Sequence, residues 1–305
     1  MERRFPTVAL VGRAHDPRVT DSLLALAEHL RRGGREVICE AGPLAELFGG
    51  LAGAVPATVL ARRADLVVAV GGDGTMLYAA QLVLGADTPL LGINRGRLGF
   101  LTDISPPEMI ARLDEVLAGQ YQEDVRALLT ARLERAGREA LTCDALNDVV
   151  VQKAGVGHTH ATGRMIEFDT RIDGVYVNTH GGDGLVVATS TGSTAYALSC
   201  GGPIIHPRLD ALVIAPISPH TLSDRPIVVG RHSAIEVRLL ERSETRAEVT
   251  FDGNLLGELD HGDRLVLGAA ERSVTLLHPH GHDFFRILRS KLHWGRSARN
   301  PDEPC

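Results

Sequence analysis

Residues 66–75 read Leu-Val-Val-Ala-Val-Gly-Gly-Asp-Gly-Thr. The continuous apolar run at the start of this stretch is typical of a strand that is buried on both faces of a parallel sheet. Open α/β sheets bind their ligands at the carboxyl ends of such strands. The stretch therefore predicts an α/β fold in which a buried strand leads into a ligand-binding loop.

The composition of this loop suggests its chemistry. Gly71, Gly72 and Gly74 lack the Cβ atoms that would keep a phosphate away from backbone amides, and glycines also permit dihedral angles closed to other residues. Asp73 is the ionisable group of the loop and could accept the proton of a ligand hydroxyl. With Thr75, these residues indicate phosphate recognition or phosphoryl transfer, the alternative being an ordinary Asp-Gly turn.

The whole chain excludes several other classes. Its 305 residues predict about two domains, and a net charge of -6 argues against a nucleic-acid binder that uses a general basic surface. The sequence contains neither a Gly-x-x-x-x-Gly-Lys-Ser/Thr motif nor a Gly-x-Gly-x-x-Gly motif, so a P-loop enzyme and the common dinucleotide fingerprint are both excluded.

The cysteines and the hydrophobic runs indicate a cytoplasmic protein without a membrane partner. Four scattered cysteines without a Cys-x-x-Cys motif are typical of reduced thiols rather than a disulfide framework or a zinc site. No apolar run approaches the roughly 18 residues of a membrane span.

The first part of the chain alternates strand and helix patterns. This alternation predicts an α/β domain with an open, mostly parallel sheet over residues 1–125. We expect Thr20 to cap its first helix, over residues 21–32. The other predicted elements are strands at 8–11, 37–39, 66–70 and 89–93, and helices at 43–51, from 75 onward, and at 107–117.

After residue 125, period-two runs separated by turn residues predict an all-β domain over residues 126–278. One helical interruption is expected at 193–199, and two separate strands at 265–267 and 274–277. The last segment, 279–305, contains a helical pattern at 283–292 that we expect to pack back on the α/β domain.

A second glycine-rich loop, at residues 92–103, follows another buried strand. Two parallel strands that end in glycine loops would line one crevice, where Arg95 and Arg97 could meet phosphate oxygens. An ordinary connection between a strand and a helix is the alternative.

Polar residues also interrupt the β-rich part of the sequence. Asn147 and Asp148 lie in an apolar strand pattern, which suggests either a satisfied core pair or a contact with ribose hydroxyls or base edges. Residues 189–196, Thr-Ser-Thr-Gly-Ser-Thr-Ala-Tyr, carry more hydroxyls than helix capping requires, so they could help to bind a phosphate. His278, His280 and His282 alternate in a Pro-Gly bend, and metal ligation is the less favoured reading there.

Taken together in this order, these segments resemble the NAD kinase family. The matching stretches extend from about residue 6 to 295 in one register, and the most specific one is Thr-Gly-Ser-Thr-Ala-Tyr-x-Leu-Ser-x-Gly-Gly-Pro. The resemblance covers Gly71 to Thr75, Gly92 to Asp103, Asn147-Asp148, Asp183-Gly184, Thr191 to Pro203, Pro219 to Ser223 and Asp252-Gly253.

The resemblance implies that the chain phosphorylates the 2′-hydroxyl of the adenosine ribose of NAD to give NADP. ATP would be the donor, with a divalent metal such as Mg²⁺, and the protein would be a homo-oligomer, often a tetramer. Asp73 matches the family's proton acceptor. The implied NAD contacts are Asp73, Gly74, Asn147, Asp148, Arg164, Asp183, Thr194, Ala195, Tyr196, Ala197, Leu198, Ser199 and Asn254; the implied phosphate loops contain Gly71, Gly72, Thr75, Asn94, Arg95 and Arg97.

Some positions depart from the family pattern. Asn254 stands where many members carry Gln, and Arg164 occupies a variable basic position. Gly181 and Gly182 stand where some ATP-restricted members carry Arg, which implies that inorganic polyphosphate is a second donor. Two other functions stay open at this point, a catalytically silent NADP-binding sensor and a lipid or sugar kinase with the same Gly-Gly-Asp-Gly loop.

Overall fold

The computed structural model describes residues 4–96, 99–154, 165–240 and 246–292. The chain forms two compact units. Unit 1 comprises residues 1–125 and 274–305, and unit 2 comprises residues 126–273. The sequence predicted a boundary after residue 278. In the structure, the boundary falls after residue 273, inside the single strand β17 (Arg264–Pro279).

Unit 1 is an α/β unit. Its strands are β1 (Thr7–Gly12), β2 (Glu36–Glu40), β3 (Gly53–Val55), β4 (Leu66–Gly71) and β5 (Leu90–Asn94). They lie in the order β5-β4-β1-β2-β3, with the end of β17 beside β5, and every pairing is parallel. The expected parallel sheet is therefore confirmed.

The helices of unit 1 are α1 (Pro17–Arg32), α2 (Pro43–Phe48), α3 (Ala57–Arg63), α4 (Asp73–Val83), α5 (Met109–Leu117) and α7 (Phe284–Leu292). The expectation that Thr20 caps α1 was wrong. Asp16 is the N-cap and accepts the N–H of Arg18 at 3.0 Å, because Pro17 starts the helix earlier. The C-terminal helix α7 belongs to unit 1, as expected, and buries Ile287 and Leu288. Within the described residues, no helix combines the length and apolarity that a membrane crossing needs.

Unit 2 is β-rich, as expected. One antiparallel sheet has the order β13-β12-β11-β8-β15-β16. Its strands are β8 (Asp148–Lys153), β11 (Gly184–Thr189), β12 (Ala211–Ile217), β13 (Ile227–Gly230), β15 (Ala247–Phe251) and β16 (Asn254–Leu259). The remaining strands are β6 (Tyr121–Glu134), β7 (Leu141–Ala145), β9 (Ile166–Ile172), β10 (Val175–Gly182) and β14 (Ile235–Leu239), which pair in the order β10-β9-β14-β17 and as β6-β7.

The central strands β8 and β11 are buried on both faces, and this fixes the position of the polar residues at their ends. Val149 and Val151 point into a core shared with Phe168 of β9. Val150, on the opposite face, packs in a second core that contains Ala197 of the short helix α6 (Tyr196–Ser199). Side chains alternate between the two faces of a strand, and here both faces pack in apolar cores. Polar groups are therefore placed where these strands begin and end.

Candidate active site

The loop after β4 places Asp73 at the first residue of α4, with Gly72 as the N-cap. The half-buried carboxylate of Asp73 accepts two backbone hydrogen bonds from the second glycine-rich loop. Oδ2 accepts the N–H of Phe100 at 2.9 Å, and Oδ1 accepts the N–H of Leu101 at 3.0 Å. The two glycine-rich loops of the sequence therefore meet at this one carboxylate, whose orientation they fix.

The glycines of the first loop are required for space rather than for unusual dihedral angles. None of Gly71, Gly72 and Gly74 has a positive φ, so none of them uses the dihedral freedom that glycine permits. A Cβ at Gly71 would collide with the side chain of Thr75, whereas a Cβ at Gly72 or Gly74 would meet open space. Gly72 and Gly74 thus leave the backbone of the α4 N-terminus accessible to a ligand.

Gly99, in the second glycine-rich loop, also needs to lack a Cβ atom, and the sequence pattern did not indicate this. A Cβ at this position would collide with Oδ1 of Asp73 and with Oγ1 of Thr102. A glycine here is what lets the carboxylate approach the amides of residues 100 and 101.

Asn94 stabilises the second loop from within. Its side chain is only 2% exposed; Nδ2 donates to Oγ1 of Thr102 at 2.9 Å, and Oδ1 accepts the N–H of Gly96 at 2.6 Å. Arg95 is half-buried and donates its backbone N–H to the carbonyl of Gly71 at 2.9 Å. Arg97, the other expected phosphate contact, lies outside the described residues.

Unit 1 also contains the one group of metal-ligand side chains found among the described residues, Asp103, His278 and His282. Oδ2 of Asp103 lies 3.1 Å from Nδ1 of His278 and 2.6 Å from Nδ1 of His282, and the two rings stack at 3.7 Å. Burial acts to raise the pKa of Asp103, but the hydrogen bonds from both histidines lower it overall. Because Mg²⁺ prefers oxygen ligands, this imidazole-rich group does not fit it.

In unit 2, Asp148 lies in β8 as its first residue, as expected, whereas Asn147 precedes the strand, so the expectation was wrong for Asn147 alone. Asp148 is 7% exposed. Burial, and then the negative charge of Asp252, raise the pKa of Asp148 to about 7, although a hydrogen bond from the backbone of Tyr196 opposes the shift. A carboxyl group with this pKa exists in both protonation states near neutral pH.

The hydroxyl-rich turn at residues 189–194 is tied mainly to backbone. Oγ1 of Thr189 donates to the carbonyl of Leu146 at 2.6 Å and accepts the N–H of Gly192 at 3.0 Å. Oγ of Ser193 donates to the carbonyl of Ser190 at 2.7 Å and accepts the N–H of Ile205 at 2.9 Å. These hydroxyls shape the turn, which accounts for their number without a phosphate.

The segment that follows divides by exposure. The predicted helix at 193–199 consists of a short 3₁₀ turn and then α6. Tyr196 and Ser199 are exposed, whereas Ala197 packs in the core beside Val213. Among the expected NAD contacts of this segment, Ala197 therefore packs in the core. Thr194, Ala195 and Leu198 are half-buried.

The remaining expected contacts of unit 2 lie at its surface. Oδ1 of Asp183 accepts a hydrogen bond from Nζ of Lys153 at 2.6 Å, and this contact lowers the pKa of Asp183. Asn254 is exposed where β16 begins, directly after the Asp252-Gly253 turn. Arg164 lies outside the described residues.

Two further residues of unit 2 hold this region together and were not among the expected site residues. Asp252 accepts the backbone N–H groups of residues 146–148. Arg126 is 3% exposed and donates to Oγ1 of Thr191 at 3.2 Å. The Asp-Gly pair was visible in the sequence as a turn signal, whereas nothing in the sequence indicated the contact of Arg126.

Known proteins resemble both units. A family model for the ATP-NAD kinase N-terminal domain matches residues 55–121, and one for the ATP-NAD kinase C-terminal domain matches residues 146–278. The NAD kinase of Thiobacillus denitrificans is 46% identical over 298 residues, covering 97% of this chain and 99% of that protein. The NAD kinase of Methylococcus capsulatus is 45% identical over 294 residues, covering 96% and 99%.

Solved structures agree with these matches. An NAD kinase from Archaeoglobus fulgidus in complex with ATP is 28% identical, with a TM-score of 0.71 over 93% of this chain and 99% of that one. Yeast NADH kinase complexed with NADH shows the same fold, with a TM-score of 0.88 at 23% identity over 97% and 90%. The α/β unit with its glycine loop and the β-rich unit thus define a kinase. The chain belongs to the NAD kinase family.

Proposed function

We propose that this protein transfers a phosphoryl group from ATP to the 2′-hydroxyl of the adenosine ribose of NAD and so forms NADP. Its membership of the NAD kinase family supports this proposal and argues against the alternative of a lipid or sugar kinase. The observation that carries the proposal is the position of Asp73, a single carboxylate that two backbone amides hold at the start of α4.

Asp73 is the proposed base. A hydroxyl group is a weak nucleophile near neutral pH, so a positioned acceptor for its proton assists the transfer. Each carboxylate oxygen can accept more than one hydrogen bond, and each oxygen of Asp73 accepts one backbone N–H. Capacity therefore remains for the substrate hydroxyl, while the amides of Phe100 and Leu101 keep the carboxylate in place.

The phosphate side is assigned to the backbone near Gly71, Gly72, Gly74 and Thr75 and to the loop with Asn94, Arg95 and Arg97. Open space at Gly72 and Gly74 supports close approach of a phosphate. Mg²⁺ commonly binds through substrate phosphates plus one or two carboxylates, so we propose that the phosphates of ATP would hold it, where it would supply charge neutralisation for the transferring group. Inorganic polyphosphate is proposed as a second donor.

The acceptor side is assigned to unit 2. Asn147, Asp148 and Asp183, together with the segment from Thr194 to Ser199, are proposed to bind NAD, with further contacts from Arg164 and Asn254. The support is the buried carboxyl group of Asp148, which can donate or accept a hydrogen bond at neutral pH. Exposed Tyr196 offers an aromatic ring on the same unit.

We also propose that the protein is a cytoplasmic homo-oligomer, a dimer or tetramer. Apolar side chains are exposed on the terminal strands of the two sheets of unit 2, at Val175, Tyr176 and Val177 of β10 and at Ile227 and Val228 of β13. Such side chains are common at subunit interfaces. Cys39, Cys143 and Cys200 are free thiols, as a reducing compartment requires.

A matrix of donors and acceptors tests the proposal. Purified protein is incubated with Mg²⁺ and with ATP or polyphosphate as sole donor, against NAD, NADH, a sphingoid base or a sugar. NADP is then measured with an NADP-specific dehydrogenase. We expect NADP from ATP and NAD; NADP binding without any NADP formation would instead identify a silent sensor. A lack of product with polyphosphate would remove that donor alone.

A further inference from the structure

The carboxylate of Asp252 accepts hydrogen bonds from three successive backbone N–H groups. Oδ2 accepts the N–H of Leu146 at 2.8 Å, and Oδ1 accepts those of Asn147 at 2.7 Å and Asp148 at 3.3 Å. The N–H of Asp252 returns a hydrogen bond to the carbonyl of Asp148 at 3.0 Å. One side chain thus fixes the whole segment that presents the Asn147-Asp148 pair.

Asp252 is itself held firmly. It forms a two-residue turn with Gly253 between β15 and β16, and both residues have positive φ, 45° and 81°. This conformation is typical of tight hairpin turns. The preceding residue, Phe251, pairs with Val149 of β8. This strand pairing places the Asp252-Gly253 turn beside residues 146–148, which precede Val149.

The opposite side of the segment is also packed. The carbonyl of Asn147 accepts the N–H of Thr189 at 2.9 Å, and a Cβ at Gly192 would collide with the backbone of Asn147. The backbone at Asn147 is therefore clamped between the Asp252 carboxylate and the hydroxyl-rich turn. A substitution at Asp252 would remove the carboxylate contacts on one side of this backbone and leave the contacts with Thr189 and Gly192 on the other side in place.

We propose that Asp252 is a positioning residue for the acceptor, because its carboxylate fixes the backbone on which Asn147 and Asp148 are presented to NAD. This inference rests on the proposed function of the site. It adds a residue that acts through its neighbours and is not itself assigned a contact with the substrate.

The same arrangement predicts a pH dependence. The titratable groups that face Asp148 are Asp252, Tyr196 and Cys200, and the backbone of Tyr196 also contacts it. The pKa of Asp148 is raised to about 7, by burial first and by the charge of Asp252 second. If the ionised form accepts a hydrogen bond from NAD, the KM for NAD is about tenfold higher at pH 6 than at pH 8.

The test compares Asp252→Asn with a matched control. Asp173→Asn changes the same residue type in the Asp173-Gly174 turn, which also has positive φ at both positions. There Oδ1 accepts the N–H of Ala234 at 2.8 Å, in a different part of unit 2. KM and kcat for NAD and for ATP are measured from pH 5.5 to 8.5 in wild type and in both variants.

We expect Asp252→Asn to raise the KM for NAD about tenfold or more, because the amide offers an N–H where the backbone N–H groups need an acceptor. The KM for ATP should stay unchanged, and the inflection in the NAD profile should move to lower pH because a negative charge is removed. Asp173→Asn should match wild type in both respects.

An Asp252→Asn variant with the wild-type KM for NAD and an unmoved inflection would overturn the inference. If this variant fails to fold by circular dichroism, Asp252→Glu decides: it keeps the charge, so the inflection should stay near pH 7 while the KM for NAD rises, and an unchanged KM would overturn the inference. Wild type that forms no NADP would instead contradict the proposed function.

Discussion

Oδ1 of Asp73 accepts the backbone N–H of Leu101 across 3.0 Å, which joins the loop after β4 to the loop after β5. A carboxylate at the first residue of a helix is already stabilised by the helix dipole, and this amide fixes its direction as well. The orientation of the proposed base is therefore a property of two loops that are distant in sequence, and it can be disturbed from either one.

Gly99→Ala disturbs it from the second loop. The added Cβ would meet Oδ1 of Asp73 and Oγ1 of Thr102, so one of them must move. Displacing a catalytic group by about 1 Å can cost on the order of 10²-fold in rate. We expect kcat to fall at least about tenfold while the melting temperature changes little, as measured by steady-state kinetics and thermal unfolding.

Gly53→Ala is the control for this substitution. Gly53 also lies in unit 1, and a Cβ there would have its nearest neighbour at 3.7 Å, an ordinary contact. It should retain the wild-type kcat. Equal rates for the Gly99 and Gly53 variants would show that the position of Asp73 does not depend on the space at Gly99.

Gly192→Ala tests the packing of the hydroxyl-rich turn on Asn147. Its Cβ would lie well inside contact distance of three backbone atoms of Asn147. Overpacking of this kind costs about 1–3 kcal/mol, and backbone neighbours cannot rotate away. Urea unfolding should show this loss of stability, together with a higher KM for NAD.

Gly230→Ala, at an exposed position of β13 where a Cβ meets open space, should leave both values unchanged. If Gly192→Ala keeps wild-type stability, the close approach of these two backbones is not needed for the fold.

Asp103→Asn tests the contribution of the buried group of Asp103, His278 and His282 to stability. Weakening the hydrogen bonds of a buried group such as this carboxylate costs about 1–3 kcal/mol. The hydrogen bonds from both histidines lower the pKa of Asp103 in the folded protein. Its contribution is therefore fully present above the unfolded value near 3.8 and is lost as the pH falls through the lower folded value.

Urea unfolding of wild type and Asp103→Asn should thus differ at pH 5, and the difference should shrink as the pH falls below about 4. A difference that stays undiminished or grows below about pH 4 would contradict the assignment of this carboxylate as ionised in the folded protein.

The local parts of the fold could be predicted because they depend on neighbouring residues. The apolar run 66–70 and the glycines after it indicated a buried strand and a loop, and β4 and α4 meet there. The two strands expected at 265–267 and 274–277 form one strand in the structure, β17, because residues 268–273 between them also have extended backbone, although they lack the apolar alternation that indicates a strand.

The contacts that make the site could not be predicted in the same way. Asp73 meets Leu101 across 28 positions of sequence, and Asp252 meets Asn147 across 105. Such pairs depend on which strands become neighbours in a sheet, and a single sequence pattern does not contain that information. Gly99 and Asp252 read as ordinary loop and turn residues until their neighbours are known.

The most direct test of the account is the rate of NADP formation by Asp73→Asn at saturating ATP and NAD, with Asp87→Asn as a control at an exposed position of unit 1. The amide cannot accept the proton of the ribose hydroxyl, so kcat should fall by about 10²-fold or more. Circular dichroism should show an intact fold, and Asp87→Asn should keep the wild-type rate. An Asp73→Asn variant that folds and forms NADP at a rate near that of wild type would contradict the role of Asp73 as the base.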